Sequence, residues 1–317
     1  GTSTAGLMTG GRTNAGQYIT NVYEYNDNIN TCVGAWSLGG NLIVGRCLGT
    51  SFGTQTAAVL AAGYGNPHKN ETEEYNGSTW SAGGAVITAR EGAAGAGLNS
   101  GDHYNGSSWS TGGTVITARW YASPSGAGSQ NAALTIGGRT PTGGSVVTCT
   151  EEYNGSSWAS GGALIQARWG GGSAGTQNAS TYGGGANGPA ATIYANTEEY
   201  NGSSWAVSSA MITGRYSSTS TTAGDQDNYA IYNGSSPSST KLACNEIFNG
   251  IAWSKDSATL ISSEGQGGAG TTSAGLVFGG SMYPVYLKLT GEYNCTSKQI
   301  LGAGSQSWIG KVNFVTE

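Results

Sequence analysis

At 317 residues the chain is long for one ordinary core but within reach of a single β-rich domain. Its net charge of −5 and pI near 5.1 offer no basic field for phosphates, which sets nucleic acid aside as a partner. Only 10% of residues are charged while 17 Tyr and 9 Trp are present, the reverse of a disordered composition, so the 56 Gly and the many Ser, Thr and Asn read as turns and short strands.

No apolar run is long enough to cross a bilayer and no charged-then-apolar leader opens the sequence, so membrane insertion is not expected. The five cysteines (Cys32, Cys47, Cys149, Cys244, Cys295) show no C-x-x-C spacing and cannot all pair within one chain. Cys149 and Cys244 hold the same repeat position two units apart, too far to bridge.

In chain order the sequence is a string of copies of one unit. An aromatic anchor recurs at Tyr25, Tyr75, Tyr104, Tyr153, Tyr200, Phe248 and Tyr293. Five residues later stands Trp80, Trp109, Trp158, Trp205 or Trp253; longer turns delay Trp36 and Trp308. Ten residues after the Trp comes Arg46, Arg90, Arg119, Arg168 or Arg215, with Ser263 in the sixth copy. Upstream of six anchors lies a small-residue stretch followed by an apolar one, "GTQTAAVLAAG" from Gly53 and "GSQNAALTIGG" from Gly128 among them. Each full unit therefore predicts four strands in 45 to 50 residues. The third is short, with a step of only 29 residues from Tyr75 to Tyr104, and a blade lacking most of its first hairpin is expected there.

A four-stranded antiparallel unit cannot bury both faces alone, and radial stacking solves this with only short edges left exposed. Seven units predict an all-β, seven-bladed propeller over residues 1–317 as one domain, its third blade truncated. The order Gly-Gly, acid, Tyr, Trp, apolar stretch, Arg in "EEYNGSSWASGGALIQAR" (Glu151 to Arg168) resembles the kelch repeat, and the likeness covers nearly the whole chain. Kelch propellers often close by building one blade from both ends of the chain. Here the first unit opens on a first strand and the last ends on a fourth, so closure by blade packing is expected.

Asn-Gly after five of the seven anchors is a strong hairpin signal. The Trp that follows is expected to pack between blades. The acid directly before the anchor (Glu24, Glu74, Glu152, Glu199) is expected to partner the Arg of the same copy, because the sixth copy lacks both. Tyr75, Trp80, Arg90, Tyr104, Trp109, Arg119, Tyr153, Trp158, Arg168, Tyr200, Trp205 and Arg215 are thus read as scaffold. Asn76, Asn105, Asn154, Asn201 and Asn233 fit the Asn-x-Ser/Thr acceptor pattern inside Asn-Gly turns, where turn chemistry also generates it, and Asn70, Asn178 and Asn294 fit it elsewhere.

Chemistry-bearing motifs are scarce. The galactose oxidase branch of kelch-like propellers holds copper with two His and two Tyr; the two histidines here, His68 and His103, fall in a Pro-containing loop and in place of an anchor acid, so no metal or other cofactor is expected. Asp225 and Asp227 form a weak calcium signal. There is no Gly-x-Ser-x-Gly elbow, phosphate loop or His-Glu-x-x-His.

The links from each fourth strand to the next first strand and from second to third strand should emerge on one face, and there the copies differ. Directly after three successive repeat Arg residues come Trp120, Trp169 and Tyr216, with Tyr121 beside the first. Aromatic rings among amides and hydroxyls suit sugars. The expectation is a non-enzymatic binding or structural propeller, extracellular or on a virion, contacting glycans, a cell-surface receptor or neighbouring subunits of a homo-oligomer or larger assembly. It rests on a low-charge, hydroxyl-rich composition similar to repetitive kelch-like proteins of phage particles and bacterial surfaces. A secreted carbohydrate-active enzyme and a kelch interaction adaptor fragment are the alternatives.

Overall fold

The computed structural model describes the backbone of residues 5–12, 18–26, 32–92, 96–97, 100–124, 129–141, 144–188, 192–297 and 308–309, and side chains from Gly34 to Cys295 within those ranges except at 96–97, 100–101 and 124. Every regular element among them is a strand. The chain divides into two compact units, Gly34–Cys295 and a smaller one made of Gly1–Val33 with Thr296–Glu317.

The larger unit is a propeller arrangement of small antiparallel sheets. The second repeat supplies one four-stranded sheet (Thr50–Thr54, Ala57–Ala61, Thr72–Tyr75, Trp80–Ala82), and the fourth, fifth and sixth repeats supply three more of the same order, closing at Trp158–Ser160, Trp205–Ser208 and Trp253–Asp256. A fifth contains Gly267–Gly270, Ala274–Phe278 and Thr290–Ser297 of the seventh repeat, completed at its edge by Cys32–Leu38 of the first. The third repeat forms only a three-stranded sheet, Ala96–Gly97, Ser100–Tyr104 and Trp109–Thr111.

The expectation of seven blades is thereby corrected to five four-stranded ones. Two causes act: the third repeat is too short for a full blade, and the first and seventh repeats share one. Closure by packing alone is corrected with it, since a strand from the first repeat seals the last sheet. The first repeat's other strands, Ala5–Arg12 and Tyr18–Asn26, lie in the smaller unit and form a three-stranded sheet with Trp308–Ile309. The opening strand expected from Gly1 lies partly outside the described residues, as do the side chains of Glu24, Tyr25 and Trp308.

The Asn-Gly turns form as expected. In each, the Asn side-chain oxygen accepts the backbone N–H groups two and three residues on, Ser156 at 3.0 Å and Ser157 at 2.9 Å from Asn154. The tight turn sets Tyr153 opposite Trp158 and Tyr200 opposite Trp205. Each Trp then reaches the preceding blade: Trp80, Trp205 and Trp253 donate their indole N–H to Thr290, Thr150 and Thr197 at 2.9 to 3.0 Å. Trp36 holds the equivalent seam, donating to the Ser257 carbonyl at 3.3 Å and meeting Tyr232 edge-on. The core lies in these seams, as in the buried cluster of Leu134, Ile136, Leu164, Tyr182, Tyr200 and Trp205, which joins the fourth and fifth repeats.

The acid–Arg partnership is corrected in detail. Each Arg pairs with the acid two residues before the anchor of the following repeat: Arg46 with Glu73 (2.5 Å), Arg90 with Asp102 (2.8 Å), Arg119 with Glu151 (2.6 Å), Arg168 with Glu198 (2.9 Å) and Arg215 with Glu246 (2.5 Å). The acid directly before the anchor faces the other way, as alternation along a strand requires. Glu74, Glu152 and Glu292 accept the phenolic O–H of Tyr104, Tyr200 and Tyr75 on the neighbouring blade. His103 takes this position in the third repeat and bonds Tyr153 at 2.8 Å. Phe248 has no hydroxyl to offer Glu199, which instead accepts from Ser208 at 2.5 Å. Where Ser263 replaces the Arg, Gly291 stands in the partner acid's place and the Asn233 side chain bonds Ser263 and the Ile261 carbonyl. Arg and acid are lost together, but across a seam.

Candidate functional site

The link after each Arg is built to one pattern. The residue two positions on has a left-handed backbone in every copy: Leu48, Gly92, Tyr121, Gly170, Ser217 and Gly265, with φ between 49° and 70°. These six meet around the propeller axis. Leu48 N–H donates to the Gly265 carbonyl (2.7 Å), Gly92 to Leu48 (2.8 Å), Tyr121 to Gly92 (2.7 Å), Gly170 to Tyr121 (3.1 Å) and Gly265 to Ser217 (2.8 Å). Beside this circle lies an axial cavity of about 120 Å³, lined by Gly and by hydroxyl side chains such as Ser51, Ser123, Ser173 and Ser220.

The residue directly after the Arg stands at the mouth, held in five of the six junctions by an isolated antiparallel bridge to the residue that follows the second strand's closing Gly in the next repeat. Trp120 bridges Arg139, Trp169 bridges Ala186 and Tyr216 bridges Ser235. The approach is close enough to exclude a side chain: a Cβ on Gly138 or Gly185 would lie 2.9 Å from the Trp120 or Trp169 carbonyl oxygen, and both glycines have φ near 100°.

The four candidate side chains come together. Trp120 stacks on Tyr121 (centroids 5.6 Å, planes 23° apart), Tyr121 meets Trp169 at 5.2 Å, and Trp169 meets Tyr216 edge-on at 5.3 Å. The result is a continuous aromatic arc in which Trp169 is buried and the other three are half-exposed. Arg139 lies over Trp169 at 5.3 Å, an addition not expected from the repeat pattern. The buried indole N–H groups of Trp120 and Trp169 find no acceptor among the described residues.

The rest of the mouth is different. The equivalent positions are Cys47, Glu91 and Glu264, overlooked because only the aromatics of this column stood out. Glu264 is engaged by Lys241 and Ser235, both at 2.5 Å, and His68 stands 3.6 Å from Glu91. Burial, reinforced by Glu91 and Glu264, pushes the Cys47 thiol up to about 12, which makes it a poor nucleophile near neutrality. Burial also raises the Tyr121 phenol to about 12, with Glu91 adding to the effect.

Among the described residues no group of three or more His, Cys, Asp or Glu side chains could hold a metal. Cys47, Cys149 and Cys244 are free thiols, whereas Cys295 is disulfide-bonded, its partner outside the described side chains. Of the variable loops on this face, residues 142–143 and Pro189 also lie outside the description. No protein-family model matches the chain, and none of the curated proteins matches it.

Proposed function

We propose that this chain is a kelch-type propeller that binds rather than catalyses, using the arc of Trp120, Tyr121, Trp169 and Tyr216 as a platform for a saccharide. The observation that carries the reading is the contiguous aromatic arc. Rings of this kind stack on the apolar face of a hexose, and three of the four are half-exposed at the mouth. The engaged carboxylates and the protonated thiol opposite favour binding over turnover. A setting outside a cell or on a virion fits the low charge and the disulfide at Cys295, because such bonds persist where the surroundings are oxidising.

The experiment is glycan-array screening followed by titration calorimetry, with Trp120→Ala and Tyr216→Ala as folded controls of altered surface. Both positions are half-exposed, so circular dichroism should be unchanged. Loss of one stacking ring should weaken saccharide binding roughly tenfold, about 1.4 kcal/mol. Equal affinity in wild type and both variants refutes the arc as the site.

A further inference from the structure

Repeats two to six keep their third and fourth strands as one hairpin, whereas repeats one and seven exchange theirs. Cys32–Leu38, the fourth strand of the first repeat, joins Thr290–Ser297 of the seventh. Trp308–Ile309, the fourth strand of the seventh, pairs with Tyr18–Asn26 of the first, setting Trp308 opposite Tyr25 and Ile309 opposite Glu24. That is the register of the unexchanged hairpins, where Trp158 faces Tyr153 and Trp205 faces Tyr200.

The sequence explains why these two repeats behave differently. Between anchor and Trp the other copies have a four-residue link held by its Asn, too tight for the fourth strand to leave its partner. Ten residues separate Tyr25 from Trp36 and fourteen separate Tyr293 from Trp308. A long link lets the fourth strand pair with any third-strand edge of the same register. That edge on Tyr18–Asn26 is the same whether the arriving Trp308 strand belongs to its own chain or to another copy. Only effective concentration separates the two cases, and exchange of an identical element is a low-cost route to assembly.

We propose that Tyr18–Asn26 and Trp308–Ile309 form an assembly joint, in which the edge of one copy receives the Trp308 strand of a second. The joint is head-to-tail, so it builds closed rings or open chains of propellers. It is independent of the saccharide site, and neither reading stands or falls with the other.

The test mixes two single variants, Glu24→Cys and Ile309→Cys, under mild oxidation. The joint predicts a disulfide-linked dimer in the mixture and none with either variant alone, in a yield that rises with protein concentration. Light scattering of the wild type should show the same concentration dependence, and Ile309→Pro, which removes a strand donor, should return the protein to monomer with an unchanged propeller by circular dichroism. A mixture that never cross-links, while the Glu24→Cys/Ile309→Cys double variant locks within single chains at every concentration, overturns the proposal. So does a linked fraction that Ile309→Pro leaves untouched.

Discussion

Replacing Arg168 by Met tests how the blades are locked together. The Arg168 side chain is fully buried, 2.9 Å from Glu198, and donates to the carbonyls of Asn196 (2.7 Å), Tyr182 (3.3 Å) and Gly184 (3.3 Å). Glu198 also accepts the backbone N–H groups of Ile165 (2.7 Å) and Gln166 (3.3 Å), so its carboxylate fastens the incoming link as well as the cation. Arg168→Met leaves that carboxylate buried and unpaired, at a cost of about 3–5 kcal/mol. Against a total stability on the order of 5–15 kcal/mol, this is a large fraction. Adding Glu198→Gln removes the stranded charge yet keeps an oxygen for the Ile165 N–H, and should recover about 2 kcal/mol. Urea denaturation followed by tryptophan fluorescence reads both variants and the coupling between them, with the denaturant slope unchanged. A single variant costing under about 1 kcal/mol, or a double variant with additive losses, would refute the interlock.

Two further outcomes follow from the seams. Burial and the hydrogen bonds donated to Glu292 and Glu152 raise the phenols of Tyr75 and Tyr200 from 10 to about 12. The folded state holds these protons more tightly, so their contribution is complete below pH 10 and is lost as the pH rises through about 12; thermal melts across that window should fall less steeply for Tyr75→Phe and Tyr200→Phe. Trp205→Phe keeps a ring in the seam but loses the 3.0 Å bond to Thr150, and should cost about 1–2 kcal/mol in urea, with Thr150→Val adding little once the indole is gone.

Local chemistry was legible in the sequence wherever one repeat determines it. The Asn-Gly turns, the Tyr–Trp register and the short third sheet need only neighbouring residues, and they form where the spacing places them. The Arg partner was misplaced by one repeat and one strand position: co-occurrence within a copy cannot reveal a pair that crosses a seam, nor which side of a strand an acid faces, and Glu198 and Glu199 differ only in that alternation. Blade number was missed for a different reason. The fate of Cys32–Leu38 depends on competition between third-strand edges more than 250 residues apart, which no local pattern encodes. The aromatic arc was legible from the column after each Arg, while Arg139 enters it only through the bridge to Trp120.

The circle of backbone bonds at the axis also constrains how the sequence can diverge. An inserted residue anywhere between a repeat Arg and the second residue after it would rotate that backbone out of the circle and break the bonds it makes there. Length is therefore free to drift between anchor and Trp, as in repeats one and seven, and in the loops after Gly-Gly, but not in this three-residue span. The span is unvaried in all six junctions, including the one that has lost its Arg. Its five backbone bonds run in one rotational sense, each N–H donating to the carbonyl of the preceding junction.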